Sequence, residues 1–288
     1  ISYLLLAILF LTVIGLIDDL YRLSSKKLFL AQVIAALIII YGGDGVVVQW
    51  LGNLFGFGPI YTSWLAPLFT LICVLGVINA INMVDGMDGL AGALMLVSVG
   101  WFIVLCVLSN RPVLLQMLLV LVGIIIGFLV FNMRSPWRRV ANIFMGNAGS
   151  MSLGLLITWL AVQLSGKINN EVSPIISVWV IGMPLMDMAR VMIKRMREGK
   201  SPFVGDHSHV HHMLSSVGYS VEQVVLIKSV LSFLIGGIGV LGWYLKLPDW
   251  LMFYGFLLVL AAYFYLTGPG WRHICHHIER KRLLKEQA

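Results

Sequence analysis

Residues 89–132, GLAGALMLVSVGWFIVLCVLSNRPVLLQMLLVLVGIIIGFLVFN, carry a single charged side chain, Arg111. A hydrocarbon core about 30 Å thick takes roughly 20 apolar residues per helical crossing. The stretch holds two such runs, 89–109 and 113–132. Neither shows the alternating period of a membrane barrel strand, so each reads as a helix, which satisfies its own backbone inside lipid. The same ruler along the 288 residues gives nine spans, near 2–17, 28–43, 64–82, 89–109, 113–132, 149–164, 174–193, 224–245 and 250–267. The expected fold is all-α, a polytopic bundle of about nine transmembrane helices.

Composition agrees. Hydrophobic residues make up 59% and charged residues 11% of the chain, against roughly half and a quarter for soluble domains. Cys73, Cys106 and Cys275 are odd in number, widely spaced and without ligand spacing, so neither a disulfide nor a zinc site is expected from them. The chain opens with Ile1 already inside an apolar run that lacks a basic leader and a small-residue cleavage site, which predicts an N-terminal portion ahead of it. Residues 1–270 are expected to form the transmembrane domain. Residues 271–288, with Arg272, Arg280, Lys281, Arg282 and Lys285, are expected to form a basic cytoplasmic tail, solvated or lying on the membrane surface.

Lys and Arg set the orientation. The odd-numbered connections, with their helix ends and the tail, hold 17 of the 20 basic residues; Arg111, Lys167 and Lys246 fall on the other face. The positive-inside rule makes the odd connections cytoplasmic. Four polar clusters fall in those same connections although the count did not use them: Asp18-Asp19, Asn82 to Asp88, Phe144 to Ser150, and Asp206 to His212. One site assembled on the cytoplasmic side is the economical reading.

Each cluster has a plain and a chemical reading. Asp18-Asp19 is either a solvated helix end beside Arg22 or a base or cation-organising pair, with Lys26 and Lys27 close enough to hold a phosphate. Asn82, Asp85 and Asp88 recur every third residue, which on a helix would put them on roughly one face. Their oxygens suit a hard cation such as Mg²⁺, which keeps waters and takes one or two carboxylates plus substrate phosphates; the alternative is a polar turn punctuated by Gly86 and Gly89. Gly146, Gly149 and Ser150 precede a helix whose amides could meet an anion, and Phe144 could face a base; small residues also serve helix packing. His207, His209, His211 and His212 behind Asp206 suit a diphosphate near Arg195, Arg197 and Lys200, a zinc ion or a solvated loop being the rivals.

The ordered set Asp18-Asp19, NAINMVDGMDGLAG (79–92), FMGNAGS (144–150), PLMD (184–187) and SPFVGDHSHVHH (201–212) resembles the polyprenyl-phosphate N-acetylhexosamine-1-phosphate transferase family. HxHH after SPF is similar to the bacterial UDP-N-acetylglucosamine:undecaprenyl-phosphate branch; the phospho-N-acetylmuramoyl-pentapeptide branch, with consecutive histidines, is the alternative. Members have about eleven transmembrane helices, so the resemblance implies two before Ile1.

The reaction implied is transfer of a sugar-1-phosphate from a UDP-sugar to a membrane-embedded polyprenyl phosphate, with release of UMP. Carried over by motif, Asp18 and Asp19 orient or deprotonate the lipid phosphate and Lys27 holds it. Asn82 and the residue at 147 belong to the Mg²⁺ site, Mn²⁺ being a substitute, and Asp85 supports the metal and phosphate region. Asp88 accepts from the uracil, Phe144 stacks on it, and Arg195, His209, His211 and His212 grip the diphosphate and sugar. The implied partners are the two substrates and the membrane, with no nucleic acid and with a homodimer as one assembly. The implied location is the bacterial inner membrane, multi-pass, with the site facing the cytoplasm.

Two positions depart from the pattern. His207 stands where many members carry a basic residue, and Asn147 stands where the family has aspartate after FMG. An amide keeps the shape of that metal ligand and loses its charge, which predicts weaker Mg²⁺ binding and low activity. An inactive protein that binds the lipid carrier or the nucleotide sugar is therefore a rival. A secondary transporter is a weaker one, because the polar groups sit at one rim and no repeat is evident.

Overall fold

The computed structural model describes residues 1–43, 45–134, 137–166, 172–199, 201 and 210–269, with backbone alone for His211 and His212. The helices run in order α1 (Ser2–Tyr21), α2 (Ser25–Tyr41), α3 (Ala66–Val84), α4 (Leu90–Leu108), α5 (Pro112–Asn132), α6 (Gly146–Ser165), α7 (Pro174–Val180), α8 (Gly182–Arg197), α9 (Val210–Ser216), α10 (Val221–Tyr244) and α11 (Asp249–Thr267). The protein is a helical membrane bundle. Proline in the first turn starts α3, α5 and α7, where its missing N–H costs no helix bond. A capping box between Ser220 and Gln223 starts α10.

Helices fall on all nine expected spans, two of them in a form the sequence did not show. Among the described residues, seven helices are long and apolar enough to cross a membrane: α1, α3 with the 3-10 turn ahead of it, α4, α5, α6, α10 and α11. The span expected at 28–43 is the 17-residue α2, about 25 Å long at 1.5 Å per residue, at the lower limit for a crossing, and it leads from the polar-cluster end of the bundle to the end that carries the pair β1–β2. The span expected at 174–193 is two half-helices, α7 and α8, bent by 79°.

The bend has a legible cause. Pro184 has no N–H for the carbonyl four residues earlier, that of Val180. That carbonyl accepts instead from Ser98 Oγ on α4 at 3.0 Å. Gly182 sits at the break, where a Cβ would stand 3.0 Å from Ile235 and 3.1 Å from Phe256.

Helix α6 is the most buried span and lies against both α1 and α3. Two glycines permit the contact. A Cβ on Gly15 would stand 2.4 Å from the Ala148 Cα, and one on Gly154 would stand 2.7 Å from the Ile78 Cα. Such small-residue contacts are the usual way for helices to close in lipid. On the outside, α5 and α11 bury least and present Leu119, Val120, Ile124, Leu257 and Leu258 outward.

At the end of the bundle away from the polar clusters, an antiparallel pair, β1 (Trp50–Gly52) with β2 (Ile60–Tyr61), was not expected from the sequence. It is tied down by Gln49 N–H to Gly166 O at 2.7 Å, Trp50 Nε1 to Ser165 O at 3.0 Å, and Asn53 N–H to Asp249 Oδ2 at 2.8 Å.

Candidate active site

The site grows from the first turn of α6. Gly146 has φ +64°, a left-handed conformation in which other residues are strained. A Cβ there would also stand 2.5 Å from Asp19 Oδ2. The turn lets the amides of Asn147 and Ala148 point at Asp19, donating to Oδ1 at 2.9 Å and to Oδ2 at 3.3 Å. The anion expected at this helix N-terminus is therefore supplied by the protein itself. These amides are already engaged, which corrects the reading that left them open for a substrate.

Asp18 is buried and faces the same turn. Its Oδ1 accepts from Leu23 N–H at 2.6 Å and its Oδ2 accepts from Asn147 Nδ2. Asn147 Oδ1 in turn accepts from Asn82 Nδ2, which also reaches Ser150 Oγ at 2.9 Å. Asn147 thus bridges the end of α1 to the end of α3. Behind it, Asn79 Nδ2 donates to Gln32 Oε1 at 2.8 Å, adding α2 to the frame.

Asn82, Asp85 and Asp88 do not share one helical face. Asn82 lies in α3, Asp85 is its C-cap, and Asp88 lies in the turn before α4. Gly89, at φ +77°, completes that turn. Burial pushes the Asp85 carboxyl up to about 7, an effect the Gly146 backbone hydrogen bond opposes and the nearby Asp19 charge reinforces.

Asp88 is held by Arg134, whose Nε donates to Oδ2 at 2.7 Å. Asp88 Oδ1 carries no hydrogen bond among the described residues. Asn132 braces this corner, accepting from Gly89 N–H at 2.8 Å and donating to Ile143 O at 2.7 Å. Asn132 and Arg134 escaped the sequence reading. The signal was present in a buried asparagine ending an apolar helix and in a basic residue two positions on, but sequence spacing alone could not pair them with 88 and 89.

Phe144, 73% exposed, stands just before α6, and Lys27 is exposed in the first turn of α2. Arg195 is buried on α8. His209 lies outside the described residues, as do His207, Lys200 and the tail from 270 on; His211 and His212 fall in α9, where only the backbone is described. Asp18, Asp19, Asn82, Asp85 and Asn147 are therefore the part of the expected site brought into one cluster.

The donor set can be tested for a divalent cation. Among the described residues, no three His, Cys, Asp or Glu side chains come together closely enough to hold an ion by themselves. Asp18 and Asp19 instead bond the Asn147 side chain and the first-turn amides of α6, and Asp85 meets the Gly146 backbone. Asn82 Oδ1 carries no hydrogen bond among the described residues. Such an oxygen set fits a hard cation that completes its shell with water and phosphate.

Fold and site define a polytopic helical membrane protein with an acidic cluster at an end of the bundle. The sequence profile described as glycosyl transferase family 4 matches residues 1–165. Similar relatives are named undecaprenyl-phosphate alpha-N-acetylglucosaminyl 1-phosphate transferase. The Yersinia pestis protein is 33% identical over 280 residues, covering 96% of this chain and 76% of the relative. That of Escherichia coli O157:H7 is 33% identical over 285 residues, covering 96% and 75%, and that of Pasteurella multocida 33% over 278 residues, covering 96% and 77%. The chain belongs to glycosyl transferase family 4.

Proposed function

We propose that this protein transfers N-acetylglucosamine-1-phosphate from UDP-N-acetylglucosamine to undecaprenyl phosphate in the bacterial cytoplasmic membrane, with its site facing the cytoplasm. The observation that carries the reading is the convergence of Asp18, Asp19 and Asp85 on the first turn of α6. Family membership and the printed names of the relatives support the substrates.

A lipid-phosphate oxygen attacks the sugar-bearing phosphorus. The bond from that phosphorus to the oxygen bridging it to UMP breaks, and the electron pair leaves with UMP. A phosphate monoester with its second pKa near 6 is largely dianionic at pH 7, so it needs positioning and charge neutralisation more than a strong base. Lys27 supplies positive charge for the lipid phosphate. Asp19, exposed and anchored by two amides, orients it or takes its remaining proton. Asp18, with both oxygens engaged, positions Asn147 instead of meeting substrate.

Asn82, Asp85 and Asn147 would hold Mg²⁺, or Mn²⁺ in its place, which supplies charge stabilisation for the transferred phosphoryl group when bound. Asp88, steadied by Arg134, accepts from the uracil through Oδ1, and Phe144 offers its exposed ring for stacking. Arg195, His209, His211 and His212 grip the diphosphate and sugar.

A second reading, a nucleotide-sugar binding protein without turnover, is favoured by one contact. The Asn147 amide donates to Asp18, holding the cluster together where an aspartate would repel Asp18 unless a cation lay between them. The purified protein in detergent with UDP-N-acetylglucosamine separates the two readings. UMP released only when undecaprenyl phosphate is added supports the transferase, and nucleotide binding without UMP supports the binding protein.

A further inference from the structure

Helix α8 carries a charged group deep in the bundle that the proposed chemistry does not use. Asp187 is 1% exposed, and both its oxygens are engaged. Lys228 Nζ on α10 donates to Oδ2, and Tyr263 Oη on α11 donates to Oδ1. Lys228 is fully buried and lies seven residues past Val221, roughly 10 Å along the helix. It is a buried bundle group and not the connection-facing charge that the orientation count took it for. Ionised side chains at such depth are expensive even when paired, and those that occur tend to serve a function.

What the group holds is the half-helix beyond the 79° bend. Pro184 and the break at Ile181 interrupt the hydrogen-bond ladder from α7, so α8 needs anchors of its own. Asp187, Val191 and Arg195, spaced at i, i+4 and i+8, form the buried stripe of α8. The anchor sits at one end of that stripe and the arginine two turns further on. A second tie, Arg190 Nη2 to Thr267 O at 2.8 Å, joins α8 to α11 between them.

We propose that Asp187, clamped by Lys228 and Tyr263, is a positioning residue that fixes the rotation of α8 and so sets Arg195 for the diphosphate of the nucleotide sugar. The inference rests on the role proposed above for Arg195. The side chains of the clamp act through that arginine and need not touch substrate. Rotation matters because a half-helix that turns partway about its axis swings a long side chain at its far end away from its target.

A double-mutant cycle on the full chain in detergent tests this, reading the Kd for UDP-N-acetylglucosamine by calorimetry. Asp187→Asn combined with Lys228→Met removes both charges together and leaves no ion unpaired. Arg195→Ala is expected to raise Kd about tenfold, the value of one charge-assisted hydrogen bond to a phosphate. The clamp variant is expected to raise it by a similar factor, and the combination no further than Arg195→Ala alone. If the clamp variant binds like the parent, or if the two factors multiply in the combination, the clamp only cements the bundle and the inference is overturned. An Arg195→Ala chain that binds normally instead overturns the reading of Arg195, and this inference with it. Should the clamp variant not fold, Tyr263→Phe, which keeps the ion pair, runs the same cycle, with an expected rise of about twofold to threefold.

Discussion

The two ends of the bundle are made from different materials. At the end with the pair β1–β2, backbone groups bond one another and neighbouring side chains: Gln49 to Gly166, Trp50 to Ser165, and Asn53 to Asp249. At the other end, three carboxylates from α1 and α3 crowd the first turn of α6, with an amide linking them. The first end is tied together by these hydrogen bonds between its backbone and neighbouring groups. The second holds a carboxyl, Asp85, that burial chiefly, and the neighbouring Asp19 charge in smaller part, push up to about 7. An end built that way is suited to a cation and a phosphate arriving together, and gives up stability to be so.

Asp85→Asn should break this contrast most strongly. UMP release with both substrates should fall about 100-fold, as when a charge-stabilising group is removed from a transition state. The same variant should be the more stable one in the absence of divalent cations. The folded carboxyl binds its proton up to about 7 while a free one releases it near 3.8, so between these values the folded state holds more protons than the unfolded state. Stability then falls as pH rises through that window, and the full penalty is present above it. The melting temperature of Asp85→Asn should exceed the parent's at pH 8, and the gap should close as pH falls toward 4. A constant gap across the series would remove the burial explanation.

Arg134→Ala should act on the nucleotide side of the same end. With Asp88 unsteadied, KM for UDP-N-acetylglucosamine should rise about fivefold, about 1 kcal/mol of binding, with kcat little changed. An equal fall in kcat would move Asp88 from uracil contact toward the reacting phosphates.

Gly52→Ala probes the end with the pair β1–β2. Gly52 has φ +77°, and a Cβ would stand 2.3 Å from Asp249 Oδ2. Stability should drop by about 1–3 kcal/mol, read as a lower melting temperature, while KM for both substrates stays at the parent's value. A changed KM would mean that the two ends are coupled.

Much of this contrast was legible in the sequence, because membrane spans are long, uniform signals that depend on no partner. Residues 89–132 gave α4 and α5 nearly to their ends. The bend at Ile181 was not read, although Pro184 and Gly182 were in view, since a kinked helix and a straight one share the same hydropathy. The pair β1–β2 was missed for a different reason: its strands are too short for a period, and its anchors lie far off in sequence at Ser165, Gly166 and Asp249. At the site, the acidic clusters announced themselves by being polar in an apolar chain. Their partners did not. Arg134 to Asp88, Asn132 to Gly89 and Asn147 to Asp18 are pairings between distant segments. The inward-pointing amides of α6 looked free until Asp19 was seen against them.

The cluster around Asn147 is where the proposed chemistry is most exposed to test. Asn147→Asp replaces the amide that donates to Asp18 with a charge that only a cation can reconcile with it. The direct measurement is UMP release from UDP-N-acetylglucosamine and undecaprenyl phosphate at one fixed, subsaturating Mg²⁺ concentration, parent against variant. A cation-centred phosphoryl-transfer site predicts a rate about tenfold higher in the variant, the effect of one recovered ligand or its close support. No gain in a variant that folds and binds nucleotide sugar as the parent does would contradict it.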